Sequence, residues 1–253
     1  MKLSEKIRRH RLIRQRCIQP AGQDLLEPQL VTFFNPYSYG RLLTAPRNVL
    51  SPFTAILPDG ISLAWVLTVL RFKKVERRSF DFTSLAPPVF KACAKRNVGV
   101  AVVGGEDEDL DDAMAFWSAR FSGLPLRNCR NGFFKDDAER VAYVKELAAA
   151  PVGAVIIGMG TPVQEEFAML CLEHGVKAAI YTCGGFITQS AKSPFVTGFY
   201  PKNVDRFHLR AFWRIYKEPH TRRRYFLDYP LNLLHFLCID ALSRLPICRS
   251  PAE

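Results

Sequence analysis

The stretch that most constrains this chain is PVGAVIIGMGTPVQEE, residues 151–166. In it a β-branched apolar run ends in Gly158 and Gly160, crosses a Thr-Pro step and opens a helical pattern at Gln164. Ala154-Val155-Ile156-Ile157 is short, apolar on both faces and bounded by glycine, as a strand buried in a parallel sheet must be. Pro162 stands where a first helical turn tolerates a residue without an N–H. In open α/β sheets ligands bind beyond the carboxyl ends of strands, where glycine admits a close backbone and a helix N-terminus favours anions. The spacing therefore places Gln164 beside a ligand.

The rest of the chain repeats that unit. Strand patterns at 30–34 and 53–57 are each followed by a turn, Asn35-Pro36 and Pro58-Asp59-Gly60, and then by a helical pattern. A helix over 88–96 and a strand over 98–103 lead to Gly104-Gly105, and the acidic run 106–112 opens another helix. Segments 124–129, 137–149, 154–158, 164–174 and 178–182 continue the alternation of strand and helix up to Cys183-Gly184-Gly185-Phe186. Alternation of this kind predicts βαβ units and an α/β fold, a Rossmann-like and mostly parallel sheet covered by helices. Three segments are expected: a basic N-terminal arm over 1–25, the α/β core over 26–195, and a helical basic and aromatic C-terminal appendage over 196–253.

A net charge of +11 calls for an anionic partner: nucleic acid, an acidic membrane surface or a phosphorylated substrate. Residues 1–20 hold seven Lys or Arg against one acid, and Leu3, Ile7 and Leu12 are too sparse to promise a packed helix, so a solvated arm is expected. No apolar stretch follows it as in a secretory signal, and no window reaches the roughly 20 apolar residues of a spanning helix, which points to the cytoplasm. The seven cysteines show no C-x-x-C pair and no zinc-like spacing with histidine, as buried thiols would. In the appendage, a helix over 203–217 would align Arg206, Arg210, Arg214 and Lys217. A second carries Arg222, Arg223 and Arg224, then an apolar run with one polar seam, Asp228, Asn232, His235 and Asp240. Such a helix suits a membrane interface, or packing on the core or on a second subunit.

Asp59 ends a strand sharply, because proline cannot donate to a ladder and glycine allows positive φ. It is either ordinary turn and capping chemistry or a general base aimed into the cleft of Gln164. Gly104-Gly105 offers helix N–H groups to a phosphate, and Arg77 and Arg78 offer fixed charge to a diphosphate. Asp107-Glu108-Asp109 matches the D-x-D pattern of metal-dependent nucleotide-sugar enzymes but reads better as complementing a helix dipole, so no metal site is assigned. The five histidines show no context for a nucleophilic triad. No dinucleotide fingerprint supports an oxidoreductase, and no nucleic-acid motif accompanies basic residues gathered at the two termini. A non-catalytic anion-binding or nucleic-acid-binding protein remains the alternative to an enzyme.

Six motifs occur in order: Leu57-Pro58-Asp59-Gly60, Val103-Gly104-Gly105, Asn131-Gly132-Phe133-Phe134, Gly158 to Glu165, Cys183-Gly184-Gly185-Phe186, and Leu209 to Pro219. Together, over Val31 to Tyr225, they resemble the WecG/TagA/CpsF glycosyltransferases of glycosyltransferase family 26. The resemblance implies an inverting, UDP-sugar-dependent enzyme of bacterial surface-polysaccharide or exopolysaccharide assembly. It would move N-acetylmannosamine, its uronic acid, glucose or glucuronic acid to an undecaprenyl-diphosphate-linked saccharide. It implies Asp59 as base, with Gln164 and Arg77 in the catalytic set and Asn35 binding substrate together with Thr32, which stands next to the position of the family's threonine. Gly104, Gly105, Gly160, Gly184 and Gly185 would line the ligand loops. Arg214, Arg222 and Arg224 match an appendage that reaches the membrane and closes over the site. No cofactor beyond the UDP-sugar donor is required, and the expected partners are that donor, the polyprenyl-diphosphate acceptor and an anionic membrane surface at the inner face of the cytoplasmic membrane. No nucleic acid is expected, and a homo-oligomer stays open. The chain departs from the family at Phe33, where the family has Thr, at Phe80-Asp81-Phe82 in place of G-S-D, and at Phe186-Ile187-Thr188 after the paired glycines.

Overall fold

The computed structural model describes residues 2–17, 24–46, 48–192, 203–204, 210–217 and 221–245. Five strands, β1 (Gln29–Phe34), β2 (Ala55–Pro58), β3 (Gly99–Gly104), β4 (Val152–Gly158) and β5 (Ala179–Thr182), form one sheet in the order β2-β1-β5-β4-β3. Every pairing is parallel, so all carboxyl ends lie along one edge. The helices α1 (Leu3–Arg16), α2 (Pro36–Thr44), α3 (Ile61–Arg71), α4 (Ala86–Arg96), α5 (Asp107–Arg120), α6 (Asp137–Ala149), α7 (Val163–Glu173) and α8 (Phe186–Ala191) are followed by α9 (Arg210–Lys217) and α10 (Tyr229–Ser243). A π-helical turn, Arg224–Asp228, leads into α10.

Side chains alternate between two cores across the sheet. Val155 and Ile157 of β4 face Leu42 of α2, Val144 of α6 and Phe167 of α7, whereas Ala154 and Ile156 face Phe90 of α4 and Trp117 of α5. Each large apolar side chain buried this way contributes roughly 1.5–3 kcal/mol, which explains why β3 and β4 carry no polar side chain. At the carboxyl edge Gly104 pairs with Gly158. Gly104 has φ +143°, and a Cβ there would lie 2.4 Å from the Gly158 carbonyl oxygen, so only glycine fits.

The 124–129 segment is not a full strand; it touches β3 only through single bridges, Val100 to Leu126 and Val103 to Arg130. The expected solvated arm is overturned more clearly. Residues 3–16 are helical and bury Ile7, His10 and Ile13, followed by Cys17. The spacing of three, three and four is a regular inward stripe in which His and Cys replace aliphatic residues, so apolar counting alone passes over it. Three of its arginines, Arg9, Arg11 and Arg14, are engaged inside the protein. Arg9 donates to the Leu43 and Ala45 carbonyls at the end of α2, and Arg11 donates to the Ser243 carbonyl at 3.0 Å. Lysine or arginine at such orphan carbonyls caps a helix C-terminus.

The helix α10 packs on α1 and α2. Its polar seam turns inward, with Asp240 buried and bonded to His10 at 3.1 Å and to Arg14 at 2.7 Å. Leu231 and Leu234, 63% and 59% exposed, face outward. No helix among the described residues is long and apolar enough to cross a membrane. The expected boundary at 195–196, Arg206 and the side chains of Arg210, Arg214 and Lys217 lie outside the described residues.

Candidate active site

A cavity of about 360 Å³ opens at the carboxyl edge, over the loops that follow β1, β2, β4 and β5. Asn35 from the first loop caps α2. Its side-chain oxygen accepts from the Ser38 N–H at 3.0 Å, and the Ser38 hydroxyl accepts from the Asn35 N–H at 2.9 Å. The cap fixes the side chain and leaves its amide N–H groups at the cavity.

Asp59 does not cap α3. The helix starts after Gly60 without a side-chain cap, and the Asp59 N–H donates to the Phe34 carbonyl at 2.7 Å. The carboxylate instead meets Arg77 at 3.1 Å, and the same guanidinium nitrogen holds Asp81 at 2.6 Å. Arg77 reaches this point because the segment after α3 runs back along β2, with the Arg78 N–H on the Pro58 carbonyl at 2.9 Å. Burial opposes the charge of Arg77, but Asp59 and Asp81 more than offset it and hold its pKa above the ordinary arginine value. Asp59 and Asp81 line the cavity, and Arg77 braces them from behind.

Gln164 lies 3% exposed at the cavity floor with its amide fully engaged. Its Nε2 donates to Glu165 at 2.9 Å and to Thr161 at 3.2 Å, and its Oε1 accepts the Gly184 N–H at 3.1 Å. It therefore ties the β4 loop to the β5 loop. Thr32 lies beneath, donating to Glu165 at 2.7 Å and accepting from Thr182 at 2.9 Å. Burial pushes the Glu165 carboxyl above its ordinary value, against hydrogen bonds from Gln164 and Thr32 that favour ionisation. Its Oε2 is buried without a hydrogen-bond partner among the described residues. Burial likewise pushes the Cys183 thiol up to about 12, which keeps it from serving as a nucleophile.

The structure thus gathers Asn35, Asp59, Gln164, Gly160, Gly184, Gly185 and Arg224 around one cavity. Gly104 and Gly105 stand beside it, packed on Gly158 and Ile187. Arg222 donates to the Ile215 carbonyl at 3.2 Å, joining the last two helical segments, and the side chain of Arg214 lies outside the described residues. Asp107 to Asp109 form the first turn of α5, where Asn131 donates to Asp107 at 2.7 Å and Lys192 pairs with Asp109 at 3.5 Å.

Sequence reasoning passed over two rim residues, Tyr37 and Arg41. Arg41 donates to the Thr161 carbonyl at 3.2 Å and lies 4.6 Å from the centroid of the Tyr37 ring; Arg224 from the C-terminal segment lies 4.3 Å from that centroid. Two guanidiniums on one ring make a cationic rim held by cation–π attraction. Only their helical spacing, four residues apart, hinted that Tyr37 and Arg41 share a face. Burial pushes the phenol of Tyr229, whose ring lies 5.6 Å from the Arg224 guanidinium, up to about 12.

The profile of the glycosyl transferase WecG/TagA/CpsF family matches residues 12–244. A curated relative from Shigella boydii, UDP-Gal:alpha-D-GlcNAc-diphosphoundecaprenol beta-1,4-galactosyltransferase, is 30% identical over 208 residues, covering 82% of this chain and 85% of its own length. The family match takes in the end of α1, the whole sheet and α10, including every loop that builds the cavity. The chain belongs to the WecG/TagA/CpsF family of glycosyl transferases.

Proposed function

We propose that this enzyme transfers a hexose, with inversion, from a UDP-sugar to an N-acetylglucosamine carried on undecaprenyl diphosphate, in the assembly of a bacterial surface polysaccharide. The observation that carries the reading is the Asp59–Arg77–Asp81 cluster at a cavity with a cationic rim. Inversion needs a base at the acceptor hydroxyl and positive charge at the departing diphosphate. Asp59 takes the hydroxyl proton as the oxygen attacks the anomeric carbon. The bond to UDP breaks on the opposite side, and its electron pair leaves with the β-phosphate oxygen. Arg41, at the rim beside the Thr161 carbonyl, faces that charge. Thr32 acts through Glu165 and Gln164, which tie together the loops at the cavity floor. The relative's name adds galactose to the donors expected from the sequence.

The test is a panel of UDP-hexoses and UDP-hexuronic acids with a short-chain polyprenyl-diphosphate N-acetylglucosamine acceptor, run with and without chelator. Turnover of one donor names the sugar, and survival in chelator supports electrostatics supplied by the protein alone. No turnover with any donor, together with no UDP binding, favours a non-catalytic anion-binding protein.

The acceptor lipid requires contact with the inner face of the cytoplasmic membrane. The outward leucines of α10 beside the exposed Arg222 and Arg223 support that contact, because apolar area and cationic flanks act together at anionic interfaces. Leu231→Asp with Leu234→Asp should reduce sedimentation with vesicles containing phosphatidylglycerol by at least about tenfold, since the loss of one buried leucine alone costs roughly 1.5 kcal/mol or more. Unchanged sedimentation would move the membrane contact elsewhere on the protein.

A further inference from the structure

A second cavity of about 750 Å³ opens between α2 and the start of α10. Tyr37, Arg41 and Arg224 belong to both cavities, so a single shared wall separates them. The second cavity adds Arg223, Asp228, Asn232 and His235, which do not line the first. Arg223 and Arg224 against the Asp228 carboxylate leave one net positive charge, apart from Arg41 on the shared wall, which faces the donor. His235 adds none at pH 7, because burial, aided by Lys6 and His10, lowers its pKa. Gly40 lets Asn232 of α10 pack directly on α2: a Cβ there would lie 2.9 Å from the Asn232 side-chain oxygen.

Arg224 supplies an independent signal. Its guanidinium lies between the Tyr37 ring at 4.3 Å and the Tyr229 ring at 5.6 Å, and its Nε is buried without a hydrogen-bond partner among the described residues. A buried cationic N–H with no acceptor is costly to leave unmade, and a phosphate oxygen is the acceptor that best completes it.

We propose that the second cavity binds the diphosphate of the polyprenyl-linked acceptor, separately from the donor diphosphate in the first. The proposal rests on the glycosyltransferase reading above and specifies how its two substrates are divided. A diphosphate diester is anionic and suits the net positive charge of the cavity. In a sugar linked through its anomeric carbon to a diphosphate, the hydroxyl that reacts lies across the ring from the phosphates. The acceptor diphosphate must therefore sit about one sugar away from Asp59, and a cavity sharing one wall with that of Asp59 meets this condition. The lipid chain leaves along α10, whose outward leucines border the same segment.

The decisive residue is Arg223, which is exposed, lines only the second cavity and has no part in the core. The full-length protein is titrated with farnesyl diphosphate at saturating UDP, and with UDP alone, as wild type and as Arg223→Gln. Farnesyl diphosphate should bind alongside UDP. Arg223→Gln should weaken that binding, and raise the KM for the lipid-linked acceptor, by about tenfold, the effect of losing one charged hydrogen bond. UDP affinity and donor KM should stay within about twofold, since the donor cavity is untouched. Competition between farnesyl diphosphate and UDP, a parallel loss of UDP affinity, or farnesyl diphosphate binding that ignores the substitution overturns the proposal. Absence of both UDP binding and turnover overturns the glycosyltransferase reading instead, and farnesyl diphosphate binding that depends on Arg223 would then identify a lipid-diphosphate site alone.

Discussion

Replacing Asp59 with asparagine is expected to lower kcat by about 10²- to 10⁴-fold, the usual contribution of a positioned general base, equivalent to roughly 3–5 kcal/mol of barrier. The substitution keeps the size of the side chain and removes only its ability to take a proton. UDP affinity should change by less than about twofold, because the local structure does not depend on Asp59 alone. Arg77 keeps Asp81 at 2.6 Å, the Ser79 hydroxyl at 2.7 Å and the Thr83 hydroxyl at 3.1 Å. Single-turnover kinetics beside calorimetric titration with UDP separate the two quantities. A parallel fall in turnover and UDP affinity would make Asp59 a binding or structural group and remove it as the base.

Asp240→Ala is expected to be the most destabilising of the simple substitutions outside the cavity. The buried carboxylate accepts from His10 at 3.1 Å and pairs with Arg14 at 2.7 Å and Arg244 at 2.8 Å, so it fastens α1 to α10. Removing it strands the buried His10 ring and the partly buried Arg14. The cost is about 2–4 kcal/mol, below the full value for a buried pair because Arg244 is half exposed to water. In a domain of this size that is roughly 5–15 °C in Tm. A Tm within about 2 °C of wild type at pH 7 would show that α10 is held by apolar packing alone.

The same network sets an acid limit. Burial of Asp240 opposes its charge, but His10, Arg14 and Arg244 outweigh it and depress the pKa. Its stabilisation is therefore complete above the ordinary carboxylate value of about 4 and is lost as pH falls through the depressed native value. Burial also depresses His10, so the unfolded chain takes up that proton first as pH drops below about 6.5, again favouring unfolding in acid. Glu165 has the opposite sign: its raised pKa makes the native state bind the extra proton, so its contribution falls as pH rises above the ordinary value. In Asp240→Ala the loss of stability below pH 4 should be shallower than in wild type.

Much of the sheet was legible because the information was local. The run Ala154 to Ile157, the closing glycines and the Thr-Pro step specify a buried strand, a turn and a helix start within sixteen residues, and β4 and α7 fall there. Asp59 at the end of β2 was legible for the same reason, since Pro58 and Gly60 punctuate the strand. The packed state of α1 was not legible. Its inward stripe is completed by His10 and Cys17, and His10 is held there by Tyr39 and Asp240, the latter 230 residues away. The direction of the polar seam on α10 was equally hidden, because a helical wheel gives the angle between faces but not which face meets protein.

From β1 to β5 the sequence by itself determined most of the order of strands and helices, the turns that end them and the residues placed at their carboxyl ends, because these follow from periodicity and from the backbone limits of proline and glycine. The tertiary structure alone decided which of those residues share a site. Only it sets Arg77 between Asp59 and Asp81, commits the amide of Gln164 to the loops, and brings Arg41 and Arg224 to one tyrosine ring. Charges and hydrogen-bonding groups act over a few ångströms in space, and separation along the chain does not determine those distances.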